Sequence, residues 1–513
     1  MRRSLTFTCV LAGCLALGVL VARPTADSPN IDFGLFVADQ LRAQSQRLFG
    51  ISRPLAESVP GPYDGTENTN AIEVAPGLTV SLVSSSTASA ADQIAMWPDD
   101  ENPTHLFVCD EETSNPAVQR VDLSQPAGAN ATTIVTGLRS CDPVRRTPWG
   151  TIIVAEEAGA TGGLYEILDP LSITTPISVS DRAAGTTSDP NRLIKRKAVG
   201  SLSFESIGIR PDGTLIYGDE LAPGAVSTGS AGGALYKFVP TVPYLGTGQP
   251  PITQPQLSPL AAGSVFGLRV AANGSANWGQ GAEVGKGRWV AVDTAAAGVV
   301  DANGNTILRN AQVLQKFTGY YRPEDMDVDP IAAGNGVFRA CWANTGRLNF
   351  AGGTLVENSA VHGEILCVVE EPSAAAPTGM IPVVTRFIIG SQQAGMFDNV
   401  AFQPHTGNLV VLEDGPTSII TATGEQPRGN DLWICLPDGA DDDTLSDGCV
   451  RFASVRDTSA EPTGFIFLGS GRSAFVNIQH RAVNDAAGAG NHGALLKISG
   501  FTVRTESEPD DRR

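Results

Sequence analysis

The chain has 513 residues, a formal net charge of −19 at pH 7 and a sequence pI of about 4.7. This acidity argues against a nucleic-acid partner, because such proteins present basic surfaces, and it leaves no polybasic patch for a membrane surface. Hydrophobic residues make up 42% of the chain, and 56 glycines with 34 prolines make it rich in turns without the composition of a disordered protein.

Residues 1–22 are predicted to be an export signal. Arg2 and Arg3 precede an apolar run that is too short and too early to be a typical membrane-spanning helix. Paired arginines are typical of the twin-arginine route, with general secretory export as the alternative. The run Leu11-Ala-Gly-Cys14 resembles a lipoprotein signal, so a lipid anchor at Cys14 is a further alternative. We expect a bacterial monomer that is periplasmic, secreted or attached to the outer membrane.

Three further segments follow the signal. Residues 23–70 are predicted to be a tether with one amphipathic helix, from Asp32 to Phe49, that Gly50 terminates. Residues 71–502 are predicted to form one large domain, and residues 503–513 a disordered acidic tail.

The large domain contains a repeated hairpin. Each copy opens on an acidic residue, turns at Pro or Gly, and ends in polar or acidic side chains. The start of the first strand and the end of the second lie at the same end of a hairpin, so each copy delivers carboxylates to one edge. The six copies run from Asp92 to Glu112, Asp142 to Glu157, Glu205 to Glu220, Glu324 to Asn344, Asp398 to Asp414 and Glu461 to His480.

A third strand-like segment follows each hairpin, as in Gly233-Ala-Leu-Tyr-Lys-Phe-Val239. Repeats of three or four short strands with Gly-rich turns are typical of β-propellers. The sequence therefore predicts an all-β fold, a six-bladed β-propeller with loop insertions. A further strand-like run, Gly287 to Asp293, is interpreted as part of an insertion.

Six cysteines lie beyond the signal, and an even count in an exported chain indicates disulfides. Cys435 and Cys449 flank a short acidic loop, and Cys341 and Cys367 lie on neighbouring strand candidates of one blade. The remaining pair would be Cys109 with Cys141.

Carboxylates gathered on one face predict a metal site, because hard cations such as Ca²⁺ take six to eight oxygen ligands. Without metal, such groups raise one another's pKa and destabilise the fold. For any single acid, the alternative is a solvated turn residue. The candidates are Asp92, Asp142, Glu156, Glu157, Glu205, Asp219, Glu220, Glu324, Asp398, Glu413 and Glu461.

Basic residues stand beside these acids in the sequence. Arg146, Lys197 and Arg322 each lie near a predicted hairpin start and are candidates to bind an anionic substrate, since arginine matches phosphate oxygens bidentately. Ordinary ion pairs are the alternative. The sequence contains no Gly-x-Ser-x-Gly or His-Glu-x-x-His motif, so triad hydrolysis and zinc proteolysis are unsupported.

Several motifs together resemble the PhoX-type alkaline phosphatases. They are Thr147-Pro-Trp-Gly-Thr-Ile-Ile-Val-Ala-Glu-Glu157, Arg322-Pro-Glu-Asp-Met-Asp-Val-Asp-Pro330, Asp398-Asn-Val-Ala-Phe402, and Glu461-Pro-Thr-Gly464 with Phe475-Val-Asn-Ile-Gln-His480. The resemblance implies a six-bladed propeller, export by the twin-arginine route, a central site with two iron ions and several calcium ions, and hydrolysis of phosphomonoesters. It also implies that Glu324 binds metal, that Arg322 binds the phosphate, and that Glu157 and Glu205 are further ligands.

The chain departs from the family pattern at two places. In the family, a cysteine in Asn-Cys-Ala-Gly-Gly ligates iron, whereas this chain has Ser140-Cys-Asp-Pro-Val-Arg-Arg146. Cys141 is therefore either the iron ligand or the disulfide partner of Cys109. The family's histidine before the third-blade acid is Phe204 here. Both departures concern the iron (Fe³⁺) more than the calcium sites.

Three functions are compatible with these features. The first is a metal-dependent phosphatase for small phosphomonoesters, with diesters as an extension, in which Arg322 and Glu324 act directly. The second is a calcium-dependent lactonase or esterase, which would not need Arg322. The third is a non-catalytic metal-binding propeller, since propellers host many functions.

Overall fold

The computed structural model describes residues 35–59, 68–112, 117–222, 232–246, 251–270, 284–346, 362–374, 376–391, 393–415, 418–421, 424–439, 443–479 and 493–503. The predicted signal, the lipid-anchor candidate Cys14, the acidic tail from residue 504 and His480 lie outside these ranges. None of the helices in the described ranges is long and apolar enough to cross a membrane.

The described residues form antiparallel sheets around one axis. The first sheet contains β3 (Ala91–Trp97), β4 (His105–Asp110), β5 (Val118–Asp122), β6 (Ala131–Thr136), β10 (Ile177–Asp181) and β11 (Thr186–Thr187). Its one parallel pair is β6 with β10. The second sheet contains β7 (Cys141–Arg146), β8 (Ile152–Glu156), β9 (Leu164–Ile167) and β12 (Leu193–Lys195).

A nine-stranded sheet carries the third and fourth hairpins. Its strands are, in spatial order, β13 (Phe204–Ile209), β14 (Leu215–Asp219), β15 (Leu235–Pro240), β16 (Gly263–Val270), β17 (Gly285–Ala291), β21 (Met380–Ile389), β20 (Glu364–Pro372), β19 (Arg339–Asn344) and β18 (Pro323–Val328). Strand β17 pairs with β16 on one side and with β21 on the other. The run from Gly287 to Asp293, which the sequence pattern assigns to an insertion, therefore belongs largely to β17, the strand that joins β16 to β21.

The last sheets include the N-terminal strands. One contains β22 (Phe397–Phe402), β23 (Leu409–Glu413), β26 (Asp431–Cys435), β27 (Cys449–Val455) and β1 (Ile72–Val74). The other contains β28 (Glu461–Phe467), β29 (Ser473–Gln479), β30 (Ala494–Ser499) and β2 (Thr79–Ser84), and β24 (Ser418–Thr421) forms a separate pair with β25 (Gly424–Pro427). Strands β1 and β2 are the end strands of sheets whose other strands come from the C-terminal half, so they join the two ends of the domain and close the ring.

The first strands of the hairpins line the axis. Strand β3 packs on β7, β7 on β13, β13 on β18, β18 on β22, β22 on β28, and β28 packs back on β3. These innermost strands are almost wholly buried, as the six buried residues of β22 illustrate, because each lies between two neighbouring sheets. The structure is thus an all-β propeller, as the repeated hairpins predicted.

Three helices accompany the sheets in the described ranges: α1 (Leu35–Phe49), α2 (Leu308–Gln315) and α3 (Pro330–Gly334). Helix α1 corresponds to the predicted amphipathic helix. Its side chains Leu41 and Phe49 belong to the apolar core of the last two sheets, together with Phe452 and Phe501. Gly50 follows it with a φ of +83°, the left-handed conformation that glycine adopts at helix C-termini.

All six cysteines of the described domain form disulfides: Cys109–Cys141, Cys341–Cys367 and Cys435–Cys449. Cys435 and Cys449 are direct partners on β26 and β27, and their bond closes a loop with a sequence separation of 14. The even number of cysteines and their positions in the sequence thus predict the three pairs that the structure contains.

The double substitution Cys435→Ala/Cys449→Ala should lower the unfolding temperature, because an open loop leaves the unfolded chain with more conformational entropy. For a loop of this length we expect a loss of about 3 kcal/mol. Differential scanning calorimetry of the purified protein measures the change, and the reduced wild-type protein is the control. An unfolding temperature equal to that of the oxidised wild type would contradict a stabilising role for this bond.

Candidate metal centre

The acids that open the hairpins share one position in the strand register. In five hairpins, the residue just before the acid of the first strand pairs with the last residue of the second strand. Cys141, which precedes Asp142, pairs with Glu156. Phe204, which precedes Glu205, pairs with Asp219. The acids placed in this way are Asp92, Asp142, Glu205, Glu324 and Asp398. In the sixth hairpin Glu461 itself pairs with Gln479. Since the innermost strands form a ring, the repeated register brings these side chains together at one end of the axis.

Three groups of carboxylates are close enough to share a cation. Within each group, one oxygen from every residue lies within 4.8 Å of the others. The groups are Glu111 with Glu157 and Glu205, Glu205 with Glu324 and Asp398, and Asp398 with Asp414 and Glu461. Because Glu205 and Asp398 each belong to two groups, the acids form one continuous row, which we call the axial cluster together with Asp92, Asp142 and Glu220.

Burial and mutual repulsion dominate the electrostatics of the axial cluster. Burial first, and Asp142 second, raise the pKa of Glu205 well above its ordinary value. Burial and then Asp414 raise the pKa of Asp398 to about 7, and burial with Glu220 raises the pKa of Glu157 to about 9. Ionising all these groups is therefore costly unless positive charge enters the cluster.

Some buried oxygens of the cluster lack a donor. Neither carboxylate oxygen of Asp142 receives a hydrogen bond from the described residues apart from the Glu205 carboxyl beside it, and Oδ1 of Asp92 lacks one as well. Other carboxylate oxygens of the cluster do have a donor. The Nε2 group of Gln479 lies within hydrogen-bonding distance of Asp92 at 3.1 Å, Glu111 at 3.1 Å and Glu461 at 3.2 Å. Buried acceptors without donors are the expected signature of cation ligands. The oxygen donors therefore fit Ca²⁺, which prefers such ligands.

Arg322 is the cation inside the axial cluster. Its Nε lies 2.7 Å from Oε1 of Glu220, and its Nη2 lies 2.6 Å from Oε1 of Glu324. Its backbone φ of +57° is in the left-handed region that non-glycine residues seldom occupy, and such conformations occur often at functional sites. Burial opposes the charge, but Glu324 and Glu220 hold the pKa of Arg322 well above its ordinary value. Arg322 is thus a permanent positive charge beside Glu220 and Glu324 of the cluster.

A second layer of polar residues lies close to the acids along the innermost strands and connects the hairpins to one another. Asn399 accepts from the Gly464 N–H at 2.6 Å, and Asp325 accepts from the Val400 N–H at 3.2 Å. The remaining bonds are Thr463 Oγ1 to the Ala91 carbonyl at 3.2 Å, Ser206 Oγ to the Glu324 carbonyl, and Arg145 to both Gln93 and Asp325. Each bond involves a residue next to a cluster acid or close to it, so this layer sets the positions of the acids.

Three predicted metal ligands are engaged elsewhere. Glu156 accepts from the Arg139 and Gly163 N–H groups and pairs with Arg182. Asp219 pairs with Arg309, at 2.8 Å, and accepts from the Ser203 N–H. Glu413 accepts from the Gly395 and Asp431 N–H groups, from Trp433 Nε1, and pairs with Arg428. These acids hold strands together rather than facing the axis, which corrects their assignment as ligands.

Successive side chains on a strand point to opposite sides, and this alternation explains the correction. Acids are doubled where the second strands end, and the second member of each pair faces the axis: Glu111, Glu157, Glu220 and Asp414. Sequence reasoning missed Glu111 and Asp414, although the doubled acids of Asp110-Glu111 and Glu413-Asp414 were a usable signal.

Cys141 has one of the two roles expected for it, and two basic residues have partners outside the axial cluster. Cys141 is bonded to Cys109, so its sulfur is not a free ligand. Arg146 lies four residues along β7 from Asp142, roughly 13 Å away by strand geometry, and binds Asp100 at 2.6 Å. Lys197 donates to the Asn303 carbonyl at 3.0 Å. The structure therefore places Arg322, and not Arg146 or Lys197, with the acids.

Comparisons with known proteins agree with this architecture. The family model described as "Alkaline phosphatase PhoX" matches residues 185–482. The structure of Pseudomonas fluorescens PhoX in complex with vanadate, a transition-state analogue, has a TM-score of 0.60 at 14% identity and covers 86% of this chain and 97% of that one. No curated protein sequence matches the chain.

Other solved structures are less similar. A PQQ-bound aldose sugar dehydrogenase from Streptomyces coelicolor has a TM-score of 0.39 at 11% identity, covering 83% of this chain and 100% of that one. A gluconolactonase from Xanthomonas campestris has a TM-score of 0.36 at 12% identity, covering 88% and 99%.

Chelation should destabilise the protein increasingly as the pH rises. The pKa values of the cluster acids are higher in the folded protein than in the unfolded chain. Without cations, the contribution of these acids to the free energy of unfolding is therefore most favourable below about pH 4 and declines up to about pH 9. We expect the unfolding temperature in EDTA to fall across this interval relative to the calcium-loaded protein. Glu205→Gln, which removes a shared member, should reduce the difference. Equal curves with and without EDTA at every pH would contradict the prediction.

The neighbours Glu156 and Glu157 provide a matched pair of substitutions. Glu157→Gln should reduce the number of cations bound per chain, because Glu157 belongs to the axial cluster. Glu156→Gln should lower stability, since it weakens the pair with Arg182, yet leave the cation content unchanged. Elemental analysis of both purified variants tests the distinction, and equal cation loss in both would refute the alternation argument.

Proposed function

Because the chain belongs to the PhoX alkaline phosphatase family, we propose that it hydrolyses small phosphomonoesters at the axial cluster, with several bound cations. Membership makes the chain a phosphoric ester hydrolase, and it agrees with the resemblance seen in the sequence motifs. The substrate, the cations and export belong to the proposal. The observation that carries it is Arg322 standing between Glu220 and Glu324 within a row of buried carboxylates.

The carboxylates would hold the cations in the three groups described above. Calcium fits these oxygen donors, and when bound, such cations neutralise the acids and stabilise negative charge on a phosphoryl group. Iron held through Cys141 does not fit, since that sulfur is bonded to Cys109.

Arg322 would bind the phosphoryl oxygens of the substrate. Its guanidinium presents donors in a planar fork that matches two oxygens of one phosphoryl group. The Glu324 carboxylate that pairs with Arg322 also belongs to the central group of candidate cation ligands. A cation bound there would neutralise this carboxylate, and Nη2 of Arg322 could then donate to the substrate. Charge spreads over the equatorial oxygens in the transition state of phosphoryl transfer, and a preorganised donor stabilises it there.

The polar layer close to the acids would preserve this geometry. Asp325 follows Glu324 directly and is fixed by Arg145 and by the Val400 N–H. Asn399 follows Asp398 and is fixed by the Gly464 N–H. Rigid support of this kind costs no reorganisation when charge develops on the substrate.

Arg322→Ala should retain its cations but lose about 10²-fold or more in kcat for p-nitrophenyl phosphate, because the transition state loses its charged donor. Arg322→Lys keeps the positive charge but lacks the planar guanidinium, so its kcat should lie between those of the wild type and Arg322→Ala. Arg182→Ala is the matched control, since Arg182 and Arg322 have side-chain exposures of 25% and 26% and each pairs with a buried glutamate. Wild-type activity in metal-loaded Arg322→Ala would refute the assignment and favour a lactonase or a binding protein.

Glu324→Gln should lose both cations and activity, because Glu324 is a member of the central group. Steady-state kinetics and elemental analysis of the same preparation separate this outcome from that of Arg322→Ala. Full cation content with full activity in Glu324→Gln would remove Glu324 from the site.

A further inference from the structure

The disulfide Cys109–Cys141 joins residues that neighbour acids of the axial cluster along the chain, and both cysteines belong to an apolar core with Val118 and Val144. The bond links β4 to β7, and the Cα atoms of its cysteines are 5.1 Å apart, within the usual range. Cys141 immediately precedes Asp142, and Cys109 lies two residues before Glu111. Both sulfur-bearing side chains are fully buried. The bond therefore joins two strands that carry acids of the cluster.

A cysteine binds metal as a thiolate, which requires a free and deprotonated sulfur. All six cysteines in the described part of the domain are in disulfides, so none offers such a sulfur. The three ligand groups consist of carboxylates alone. Oxygen donors select hard cations, whereas thiolates favour softer ones.

We propose that the metal centre of this chain is built without a thiolate ligand, and that the Cys109–Cys141 bond occupies the place where a cysteine would otherwise contribute its sulfur. The inference rests on the proposed metal centre and specifies its class. The bond keeps Cys141 away from metals and fixes the neighbouring Asp142 relative to the first hairpin. The cations that suit the site are those bound by oxygen alone, such as Ca²⁺, or a trivalent iron ligated only by carboxylates.

The test combines thiol mapping with absorption spectroscopy of the exported, full-length protein. Non-reducing peptide mapping should recover Cys109 and Cys141 in one cross-linked peptide. After loading with ferric iron, the protein should lack the intense visible band of thiolate-to-iron charge transfer, while calcium binding persists after treatment with iodoacetamide.

Two variants sharpen the spectroscopic result. Cys109→Ser leaves Cys141 as a free thiol beside the acids, whereas Cys341→Ser leaves Cys367 free within the nine-stranded sheet. A charge-transfer band in Cys109→Ser alone would support the proposal, because it shows that the bond withholds a competent sulfur. No band in iron-loaded Cys109→Ser would contradict the proposed place of the bond, because the freed Cys141 sulfur would then not reach the metal.

A band in the wild-type protein that disappears in Cys141→Ser would overturn the proposal, as would free thiols at Cys109 and Cys141. These outcomes do not depend on phosphatase activity. A wild-type protein that binds no cation at all would instead refute the proposed function, while the thiol map would still decide whether Cys141 is available.

Discussion

Like charges concentrated in a buried space are the constraint on which this structure depends. The innermost strands bring carboxylates to one end of the axis, where Glu205 lies within reach of Asp142, Glu324 and Asp398. Removing an unpaired carboxylate from water is expensive, and neighbours of the same sign increase the cost. Within the cluster, Arg322 balances only part of this charge, so the arrangement is consistent with a protein that folds around cations.

The rest of the fold resists the repulsion at the axis. Hydrogen bonds close to the acids join neighbouring hairpins, as from Thr463 to Ala91 and from Gly464 to Asn399. At the junction of the second and third hairpins the equivalent residue is Pro143, which offers no polar side chain, and Arg145 instead pairs with Asp325 of the fourth hairpin. Strands β1 and β2 close the ring with residues from the opposite end of the chain. Bonds of this layer thus join five of the six neighbouring pairs of hairpins, and Arg145 links the second hairpin to the fourth.

Much of this organisation could be predicted from residue patterns. The hairpin repeat predicts the propeller, and the acids that open the first strands are expected on one face because the two ends of a hairpin lie at the same edge. The ends of the second strands were less predictable, since Glu413 and Asp414 are both acidic and only the strand alternation decides which one faces the axis. Arg146 and Lys197 illustrate a second limit. Both residues are close to a predicted acid in the sequence, but this does not determine where their side chains lie. Arg146 pairs with Asp100, and Lys197 donates to the Asn303 carbonyl.

The most direct test of the metal cluster is anomalous X-ray diffraction from crystals of the metal-loaded protein. The account predicts anomalous peaks within bonding distance of the shared acids Glu205 and Asp398, with Arg322 left outside the coordination spheres. Peaks beside Glu156, Asp219 or Glu413, or no peak along the axial cluster in crystals of active protein, would contradict it.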